Sequence, residues 1–462
     1  MLLPCKPGSP AVGMLVLLLV VTLFFTACNP DESWTEDGYY LDQRLNEVLT
    51  GASGGVGKNH FILPESTDFT SIPQDPHNPI SAAKVQLGKM LFHETFIGQN
   101  PKKTESKGTY SCASCHHVKA GFQACLPQGL GEGGIGFGIN GEGRHRDNSY
   151  SDADLDVQPI RSPSALNIAY QTNILWNGQF GATGVNVGTE SSWTAGTPKE
   201  KNFLGFEGTE TQAIAGQDVH RLLVTNDVLS SIQEYLQLFE DAFPDEPQNQ
   251  RINKINAGLS VAAYERTLLA NKAPFQKWLR GDLNALTESQ KRGAILFFSK
   301  AECYSCHNGP ALNAMDFYAL GMNDLNDGNY GNVFNVSDTK PENKGRGGFT
   351  NRAEDMYKFK VPQLYNLKNS PFYGHGASFT NIRQVVEYKN NAVPQNPDVP
   401  AYQLAQQFKK LYLSDTEIDY IVDFLENALN DPELGRYVPD ALPSGNCFPN
   451  NDPMSKTDLG CN

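Results

Sequence analysis

The sequence lacks any apolar run long enough to cross a membrane. Its longest such run covers residues 13–25, whereas a membrane-spanning helix needs about 20 apolar residues. A shorter run near the amino terminus is typical of a signal peptide.

The apolar run ends in Phe25-Thr26-Ala27-Cys28, and a small residue directly before a cysteine is the pattern of a lipobox. We therefore expect residues 1–28 to be a signal peptide with a lipobox, cleaved before Cys28. The mature protein would be exported and lipid-anchored through Cys28 at the periplasmic face of a membrane. Ordinary signal cleavage is the alternative.

Basic residues are in deficit. The chain has 37 Lys and Arg residues against 51 Asp and Glu residues, which gives a net charge of −14 at pH 7. An acidic protein is a poor partner for nucleic acid and for anionic membrane surfaces, because these carry charge of the same sign. A small basic protein is a better electrostatic match.

Stretches that alternate apolar and polar residues are few, and so the sequence predicts little β-structure. The glycine-rich stretch 129–134 follows no strand pattern and is not closed by Gly-Lys-Ser/Thr, which excludes a phosphate-binding loop. We interpret the wider segment 126–158, rich in Gly, Asp and Asn, as a long loop beside a cofactor. Helical periodicity predicts helices over 80–92, 228–243, 255–269, 287–298 and 414–429.

The 9 cysteines include two copies of the pattern C-x-x-C-H, at residues 112–116 and 303–307. This pattern attaches a c-type haem, because two thiols bond the vinyl groups of one porphyrin and the next histidine ligates the iron. A redox C-x-x-C needs no such histidine, and a zinc site needs a second nearby pair, which neither copy has. The sequence therefore predicts two c-type haems, one on Cys112, Cys115 and His116 and the other on Cys303, Cys306 and His307.

The other cysteines have separate expected roles. Cys5 leaves with the signal peptide, and Cys28 carries the lipid. Cys447 and Cys461 lie close together in a tail rich in Pro and Asn, and a disulfide between them suits an exported protein. Cys125 is left over, and we interpret it as a small buried apolar residue.

These features together predict a mostly α protein with two helical domains, each enclosing one covalent c-type haem. Residues 29–60 are polar and Gly-rich and are interpreted as a tether after the signal peptide. We place the N-terminal haem domain at 61–272, the C-terminal haem domain at 273–435 and a tail at 436–462.

The order of signals along the chain resembles that of the bacterial di-haem cytochrome c peroxidase family, which also holds the methylamine-utilisation enzyme MauG. The likeness runs from about residue 80 to residue 429. Each motif alone is weak, but their order, with both haem motifs among them, is specific. The motifs are Leu91-Phe92, Arg161-Ser162-Pro163-Ser164-Ala165-Leu166-Asn167, Leu175-Trp176-Asn177-Gly178, Glu210-Thr211-Gln212-Ala213, Tyr264-Glu265-Arg266-Thr267-Leu268, Trp278-Leu279-Arg280-Gly281-Asp282, Cys306-His307-Asn308-Gly309-Pro310 and Pro371-Phe372-Tyr373-Gly374-His375-Gly376.

The resemblance implies two cytochrome c-like domains with different tasks. The N-terminal, peroxidatic haem would meet hydrogen peroxide. The C-terminal haem would receive electrons from a small donor protein, a cytochrome or cupredoxin, and pass them on. Trp176 matches the family tryptophan that relays electrons between the haems, with simple core packing as the alternative, and Gln212 matches a glutamine of the peroxide pocket. We expect a cytochrome c peroxidase. A MauG-like oxidase that modifies a partner protein's side chain and a non-enzymatic electron carrier are the alternatives.

His220 stands where the family has its catalytic glutamate, slightly closer to Gln212 than in the family. A histidine can take a proton from one peroxide oxygen and deliver it to the other, and its ordinary pKa of about 6.5 suits that exchange. A surface role and a role as a ligand that closes the first iron stay open for His220. Glu210 is the next candidate for the proton transfer.

The family's calcium site is expected to be altered. Its asparagine ligand is replaced by Arg161, whose fixed positive charge opposes a cation. The other protein ligands fall at Asn369 and Pro371. Calcium is therefore a doubtful cofactor, and we expect Arg161 to pair with haem propionates instead.

The sixth ligand of the second haem iron is a methionine in the peroxidases of the family and a tyrosine in the MauG branch. Counting from Pro371 without gaps places Tyr388 at this position, and Tyr388 is the expected ligand. Alignment by the apolar face of the helix places Lys389 there instead, and Met322 is the nearest methionine. The missing methionine favours the MauG branch.

Overall fold

The computed structural model describes residues 38–325 and 333–461, and this part of the chain is mostly helical, as expected. Its strands are β1 (Gly134–Ile135), which pairs antiparallel with β2 (His145–Arg146), and β3 (Phe317–Tyr318), which pairs antiparallel with β4 (Phe359–Lys360). The α-helices are α1 (Gly38–Ala52), α2 (Ala82–His93), α3 (Gly208–Val219), α4 (Asn226–Leu229), α5 (Gln233–Ala242), α6 (Gln248–Arg251), α7 (Lys254–Arg266), α8 (Pro274–Leu279), α9 (Glu288–Phe297), α10 (Arg346–Thr350), α11 (Ile382–Asn391), α12 (Asp415–Asp423) and α13 (Pro453–Leu459).

The chain divides into two units, Met1–Leu41 and Asp42–Asn462. The second unit is compact and holds both C-x-x-C-H segments. The predicted signal peptide, Cys28 and the start of the predicted tether lie outside the described residues. Among the described helices, none combines the length and apolar character that a membrane span requires. The predicted boundary between two haem domains at residues 272 and 273 stays a prediction.

Helices α2, α3, α5 and α7 form the core that follows the amino-terminal segment. α2 begins at Ser81, whose hydroxyl accepts a hydrogen bond from the backbone N–H of Lys84 and caps the helix. Its apolar residues, spaced three and four apart, turn Leu87 and Leu91 into this core, where both are buried. The helix predicted from residue 80 is therefore confirmed.

A second group of helices, α9, α11 and α12, packs around the aromatic side chains of the carboxyl-terminal half. α9 and α12 begin at the capping residues that the sequence predicted. Thr287 and Gln290 form a capping box at the start of α9, and Ser414 and Glu417 form one at the start of α12. The last turn, Phe424–Ala428, is a π-helix that continues α12 and buries Phe424.

A glycine lies at the closest helix contact in each group. A Cβ at Gly88 of α2 would lie 1.9 Å from the carbonyl oxygen of Ser260 in α7. A Cβ at Gly293 of α9 would lie 1.9 Å from the carbonyl oxygen of Tyr420 in α12. Both helix pairs therefore touch backbone to backbone, and both approaches need a residue without a side chain.

Part of the tether predicted for residues 29–60 is instead a packed helix. α1 buries Leu45 and Leu49 completely, and the carboxylate of Asp42 accepts a hydrogen bond of 2.7 Å from the indole of Trp278. The prediction was wrong because the polar residues of this stretch cover one face of the helix, while leucines four residues apart form the buried face.

The single helix predicted for 228–243 is broken. α4 ends at Leu229 and α5 begins at Gln233, although Tyr235 and Phe239 are buried as expected. The break contains two serines, and the hydroxyl of Ser231 donates to the carbonyl oxygen of Val228 at 3.4 Å. Serine hydroxyls compete for backbone groups in this way and weaken helices.

The predicted loop at 126–158 and the predicted disulfide of the tail are both present. Segment 126–158 contains no helix, and Leu130, Tyr150 and Leu155 form a small apolar cluster inside it. The predicted disulfide between Cys447 and Cys461 is formed. Cys125 is buried with a free thiol.

Candidate active site

A cavity of about 650 Å³ is walled by both C-x-x-C-H segments. All the residues predicted to attach haem or to act in catalysis line it, and Tyr388, the predicted sixth ligand, does not. Those that line the cavity are Cys112, Cys115, His116, Trp176, Gln212, His220, Cys303, Cys306 and His307.

Each C-x-x-C-H segment is a 3₁₀ turn that gathers its cysteines and its histidine on one side. In the first, the backbone N–H of Cys115 and that of His116 both donate to the carbonyl oxygen of Cys112, at 3.2 and 3.1 Å. The second turn, residues 303–307, repeats this pattern. All four thiols are free, as covalent attachment to a porphyrin requires.

The two motif histidines are held so that one ring nitrogen remains available. His116 Nδ1 lies 3.2 Å from the carbonyl oxygen of Phe122, and His307 Nδ1 lies 3.0 Å from that of Leu312. A carbonyl only accepts, so Nδ1 carries the proton and Nε2 keeps its lone pair. Burial lowers the pKa of both histidines to about 4. Both are therefore neutral at physiological pH, which is the state that ligates iron.

His220 is paired with a carboxylate that the sequence did not point to. Its Nδ1 lies 2.9 and 3.0 Å from the two carboxylate oxygens of Asp156, in the glycine-rich loop. Burial alone would lower the pKa of His220, but the charge of Asp156 and the hydrogen bond to it raise the pKa above its ordinary value of 6.5. About a third of the His220 side chain is exposed, and its Nε2 is left free by the Asp156 contact.

Gln212 and His220 stand on the same side of α3, because they are eight residues apart. Gly216 lies between them, and a Cβ there would come within 3.2 Å of Gln212 Nε2 and 3.8 Å of His220 Cδ2. All three residues line the cavity. α3 and the residue that caps its carboxyl end therefore present an amide and an imidazole to the cavity, beside a residue without a side chain.

Glu210, the alternative proton donor, is directed elsewhere. It is completely buried and binds the guanidinium of Arg266 through both carboxylate oxygens, at 2.8 and 2.7 Å. Glu265 lines the cavity instead. Burial raises the pKa of Glu265 to about 8, and its Oε2 has no hydrogen-bond partner in the part of the chain that the structure describes. The expectation for Glu210 was wrong because its neighbour in space is an arginine.

Trp176 is held in place at the wall of the cavity. Its indole N–H donates to the carbonyl oxygen of Arg161 at 2.8 Å. Its ring meets the ring of His375 edge to face at 6.3 Å, and His375 stacks on Phe359 at 3.6 Å. His375 is fixed in turn by Asp324, whose Oδ1 lies 2.9 Å from its Nε2.

Comparison with known proteins decides the relationship. Residues 82–284 match the family described as di-haem cytochrome c peroxidase. The methylamine utilization protein MauG of Methylorubrum extorquens is 26% identical over 377 residues, which is 81% of this chain and 85% of the relative. The cytochrome c551 peroxidase of Nitrosomonas europaea is 27% identical over 377 residues, 81% of this chain and 88% of the relative. Over most of its length the chain is therefore similar to the di-haem cytochrome c peroxidase and MauG family.

Two solved structures share the fold of this chain. A MauG-like protein associated with microbial copper homeostasis has a TM-score of 0.54 and 20% identity, over 80% of this chain and 95% of that one. The di-haem peroxidase BthA of Burkholderia thailandensis has a TM-score of 0.51 and 15% identity, over 80% of this chain and 90% of that one. The family and its relatives make the chain an oxidoreductase of the cytochrome c peroxidase type.

Similarity to the di-haem peroxidase family implies two c-type haems. The cavity fits this cofactor, since each motif presents a pair of free thiols and a neutral imidazole with Nε2 available. Burial also raises the pKa of Cys112, Cys115 and Cys303 to about 12, so these thiols are uncharged at neutral pH.

Arg161 is the residue expected at the altered calcium position. Its guanidinium donates to the hydroxyl of Ser370 at 2.5 Å and to the side chain of Gln123 at 3.1 Å. Ser370 stands between Asn369 and Pro371, the two other expected ligand positions. A fixed positive charge beside these positions disfavours a cation. The pairing of Arg161 with haem propionates stays a prediction.

The three candidates for the sixth ligand of the second haem differ in position. Tyr388 is buried away from the cavity, and its hydroxyl donates to the carbonyl oxygen of Leu320 at 2.5 Å. Lys389 and Met322 both line the cavity. Burial lowers the pKa of Lys389 to about 8.

The sequence missed Asp156, Glu265 and Lys360. Lys360 is buried at the cavity wall, where its ammonium group donates to Gln171 and, at 2.9 Å, to the carbonyl oxygen of Asn173. Burial lowers its pKa to about 7. These residues carry no spacing pattern that links them to a haem motif. Only the folded chain brings them to the cavity.

Proposed function

We propose that this protein reduces hydrogen peroxide to water at the haem held by Cys112, Cys115 and His116. Electrons from a small donor protein, a cytochrome or cupredoxin, enter at the second haem, held by the motif at 303–307. Each haem belongs to its own cytochrome c-like domain, 61–272 and 273–435. The reaction consumes two electrons and two protons for each peroxide and yields two waters.

One observation carries the proposal: Gln212 and His220 face the cavity from the same side of α3, and Asp156 holds His220 in one orientation. An electron carrier has no need of a cavity with an amide and an oriented imidazole. Peroxide cleavage needs both a hydrogen-bond donor for one oxygen and a group that moves a proton between the two oxygens.

His220 is suited to the proton transfer. Because Asp156 accepts from Nδ1, Nε2 is the atom that takes a proton from the peroxide oxygen that is to stay and returns it to the oxygen that leaves. Gln212 holds the outer oxygen with its amide. Asp156 raises the pKa of His220 above its ordinary value of 6.5, which makes the imidazole a stronger proton acceptor. The haem bound at His116 supplies the redox-active iron.

Trp176 supports electron transfer between the sites. Its hydrogen bond to the carbonyl oxygen of Arg161 fixes the plane of the indole, and its edge contact with His375 extends the aromatic path along the wall. A fixed ring at the wall of a cavity that both motifs share suits a relay better than simple core packing. The acidic net charge of −14 favours a basic donor protein.

The test is His220→Ala in the matured protein, assayed for peroxide consumption with a reduced donor cytochrome. We expect kcat/KM for peroxide to fall by about 100-fold or more, as loss of a general acid–base group does, with both haems retained. His220→Glu is expected to recover part of the rate. His145→Ala removes an exposed histidine outside the cavity and is the matched control.

Two results would contradict the proposal. Unchanged turnover in His220→Ala would make His220 a bystander. A switch of the first haem from low to high spin, with a gain of activity, would make His220 an iron ligand that closes the site.

A MauG-like oxidation of a partner protein is the second candidate. It is favoured by the MauG relative and by the absence of a methionine at the Tyr388 and Lys389 positions. The discriminating measurement is the lifetime of the peroxide-oxidised protein without donor. An oxidised state that persists for minutes and is then discharged by a protein substrate favours this candidate, and rapid discharge by a reduced cytochrome favours the peroxidase.

We also propose that Cys28 carries a lipid that anchors the exported protein at the periplasmic face of a membrane. The apolar run before Cys28 and the alanine at position 27 support this. Wild-type protein is expected in the membrane fraction of the cell, and Cys28→Ser is expected to release it. Wild-type protein found only in the soluble exported fraction would reject the anchor.

A further inference from the structure

Helix α11 turns one line of residues toward the cavity on the side of the second haem motif. This line has the three- and four-residue spacing of a single helix face. Its first three members are apolar, and its last is a lysine with a long side chain. The residues are Ile382, Val385, Val386 and Lys389.

Tyr388 lies off this line. The next residue along a helix is rotated by about 100°, and this rotation carries the tyrosine ring into the packing between Phe379 and Phe408, each with a centroid distance of 5.1 Å. Its hydroxyl is already used, since it donates to the carbonyl oxygen of Leu320 at 2.5 Å. To reach the cavity, Tyr388 would have to give up this hydrogen bond and both ring contacts.

The amine of Lys389 is placed very differently. Within residues 38–325 and 333–461 it makes no hydrogen bond and no ion pair, and it lies 6.0 Å from the centroid of the Phe408 ring. Lys389 lines the same cavity as Cys303, Cys306 and His307, the residues of the second haem attachment turn. An amine without a polar partner at the wall of a largely apolar cavity is costly, and a metal bond removes that cost.

Met322 also lines the cavity. Its sulfur packs against Gly374, where a Cβ would lie 3.3 Å from Sδ. That contact ties the sulfur to the turn at Gly374. The thioether is therefore the weaker candidate, although its exposure to the cavity makes it a necessary control.

We propose that Lys389 Nζ is the sixth ligand of the second haem iron. The inference rests on the proposed second haem and is independent of peroxide turnover. A neutral amine donates its lone pair strongly and accepts no electron density back, whereas a thioether stabilises the reduced iron. The second haem would thus have a lower reduction potential than a methionine-ligated equivalent, with a histidine–amine ligand field that neither branch of the family is expected to have.

The test is spectroscopic and needs no peroxide. Electron paramagnetic resonance and near-infrared magnetic circular dichroism are recorded on the oxidised protein, with a denatured haem assay to count haems. We expect one low-spin haem with a histidine–amine signature. In Lys389→Ala, the low-spin signal of one haem should become high spin while both haems remain attached. Ethylamine should restore that low-spin signal, because a small amine fits the space that the side chain leaves.

Matched variants separate the candidates. Tyr388→Phe keeps the ring and removes the hydroxyl, and Met322→Leu keeps the volume and removes the sulfur; both should leave the spectrum unchanged. Loss of the low-spin signal in either variant, or its survival in Lys389→Ala, would overturn the proposal. If Lys389→Ala fails to mature, the wild-type spectrum still decides: a tyrosinate or thioether charge-transfer band rejects the amine. Lys389→Met provides the reference thioether band.

Discussion

At the residue scale, the site depends on pairs that sequence spacing does not predict. The haem motifs are local, and so the sequence identified their cysteines and histidines directly. The partner of His220, Asp156, is 64 residues away. It lies in a segment whose composition predicts a loop but does not identify a functional residue. Similarly, the sequence offered Glu210 as a proton donor, but an arginine elsewhere in the chain binds it, and Glu265 lines the cavity instead.

Asp156→Asn is expected to move the pH dependence of peroxide turnover to lower pH. The carboxylate of Asp156 raises the pKa of His220, so in the wild type the neutral imidazole that accepts a proton forms only as the pH rises through that raised value. An amide removes the charge, and burial then lowers the pKa. The acid limb of the kcat/KM profile measures the shift. Asp152→Asn, which alters an exposed carboxylate paired with Arg146, should leave the limb in place.

Glu265→Gln is expected to stabilise the protein at pH 8 more than at pH 5. Burial raises the pKa of Glu265 from 4.5 to about 8. Unfolding therefore releases a proton between these values, and the free energy of unfolding falls as the pH rises through this window. An amide of the same shape removes this dependence. Urea unfolding at the two pH values measures it, with the exposed Glu105→Gln as control. Equal gains at both pH values would show that Glu265 is ionised in the native state.

At the element scale, helices were predictable where a capping residue and a buried stripe coincide, as at Thr287 and Ser414. The helix predictions were wrong where either the capping residue or a clear apolar stripe was absent. α1 was missed because its polar face dominates the composition, and the break at Ser230 and Ser231 was missed because apolar spacing continues across it. The close contacts between helices could not be predicted from periodicity in the sequence, because a single glycine lies at each of them.

Gly88→Ala and Gly293→Ala are each expected to destabilise the protein. Each methyl group would lie 1.9 Å from a backbone carbonyl oxygen of the facing helix, and so the helix pair must separate. Overpacking of this kind costs about 1–3 kcal/mol. Gly51→Ala in α1 is the control, because nothing lies within 4 Å of its added methyl group. It should gain about 0.5–1 kcal/mol from helix propensity. Denaturant midpoints compare the three, and equal midpoints for Gly88→Ala and wild type would contradict the close contact.

At the scale of the whole molecule, the order of the motifs predicted the family, and the cavity brings both haem motifs to one space. The order of the motifs did not decide which residue of α11 faces the cavity. That depends on how the helix is rotated about its own axis. Tyr388 and Lys389 are neighbours in sequence, and an alignment that shifts by one residue exchanges them. Only the packing of α11 shows which of them faces the cavity.

The tail is also a whole-molecule feature, because it joins the first haem motif to the glycine-rich loop. The carbonyl oxygen of Pro449 accepts from the hydroxyls of Ser111 and Ser114, both at 3.1 Å. Asp452 accepts from the backbone N–H of Gly136 at 3.0 Å, and Asp458 accepts from that of Phe137 at 2.8 Å. The loop carries Asp156, so the tail supports both the haem attachment turn and the partner of His220.

Cys447→Ser with Cys461→Ser is therefore expected to loosen the first haem site as well as to lower stability. Opening a loop with a sequence separation of 14 costs about 3 kcal/mol of unfolding free energy, because the unfolded chain gains freedom. Denaturation midpoints measure this loss, with Cys125→Ala, which removes a cysteine without opening a disulfide, as control. The rate at which imidazole binds the first haem should rise, since the loop that carries Asp156 loses its support, while binding at the second haem stays unchanged. A lower midpoint with no change in imidazole binding would show that the disulfide stabilises the tail alone.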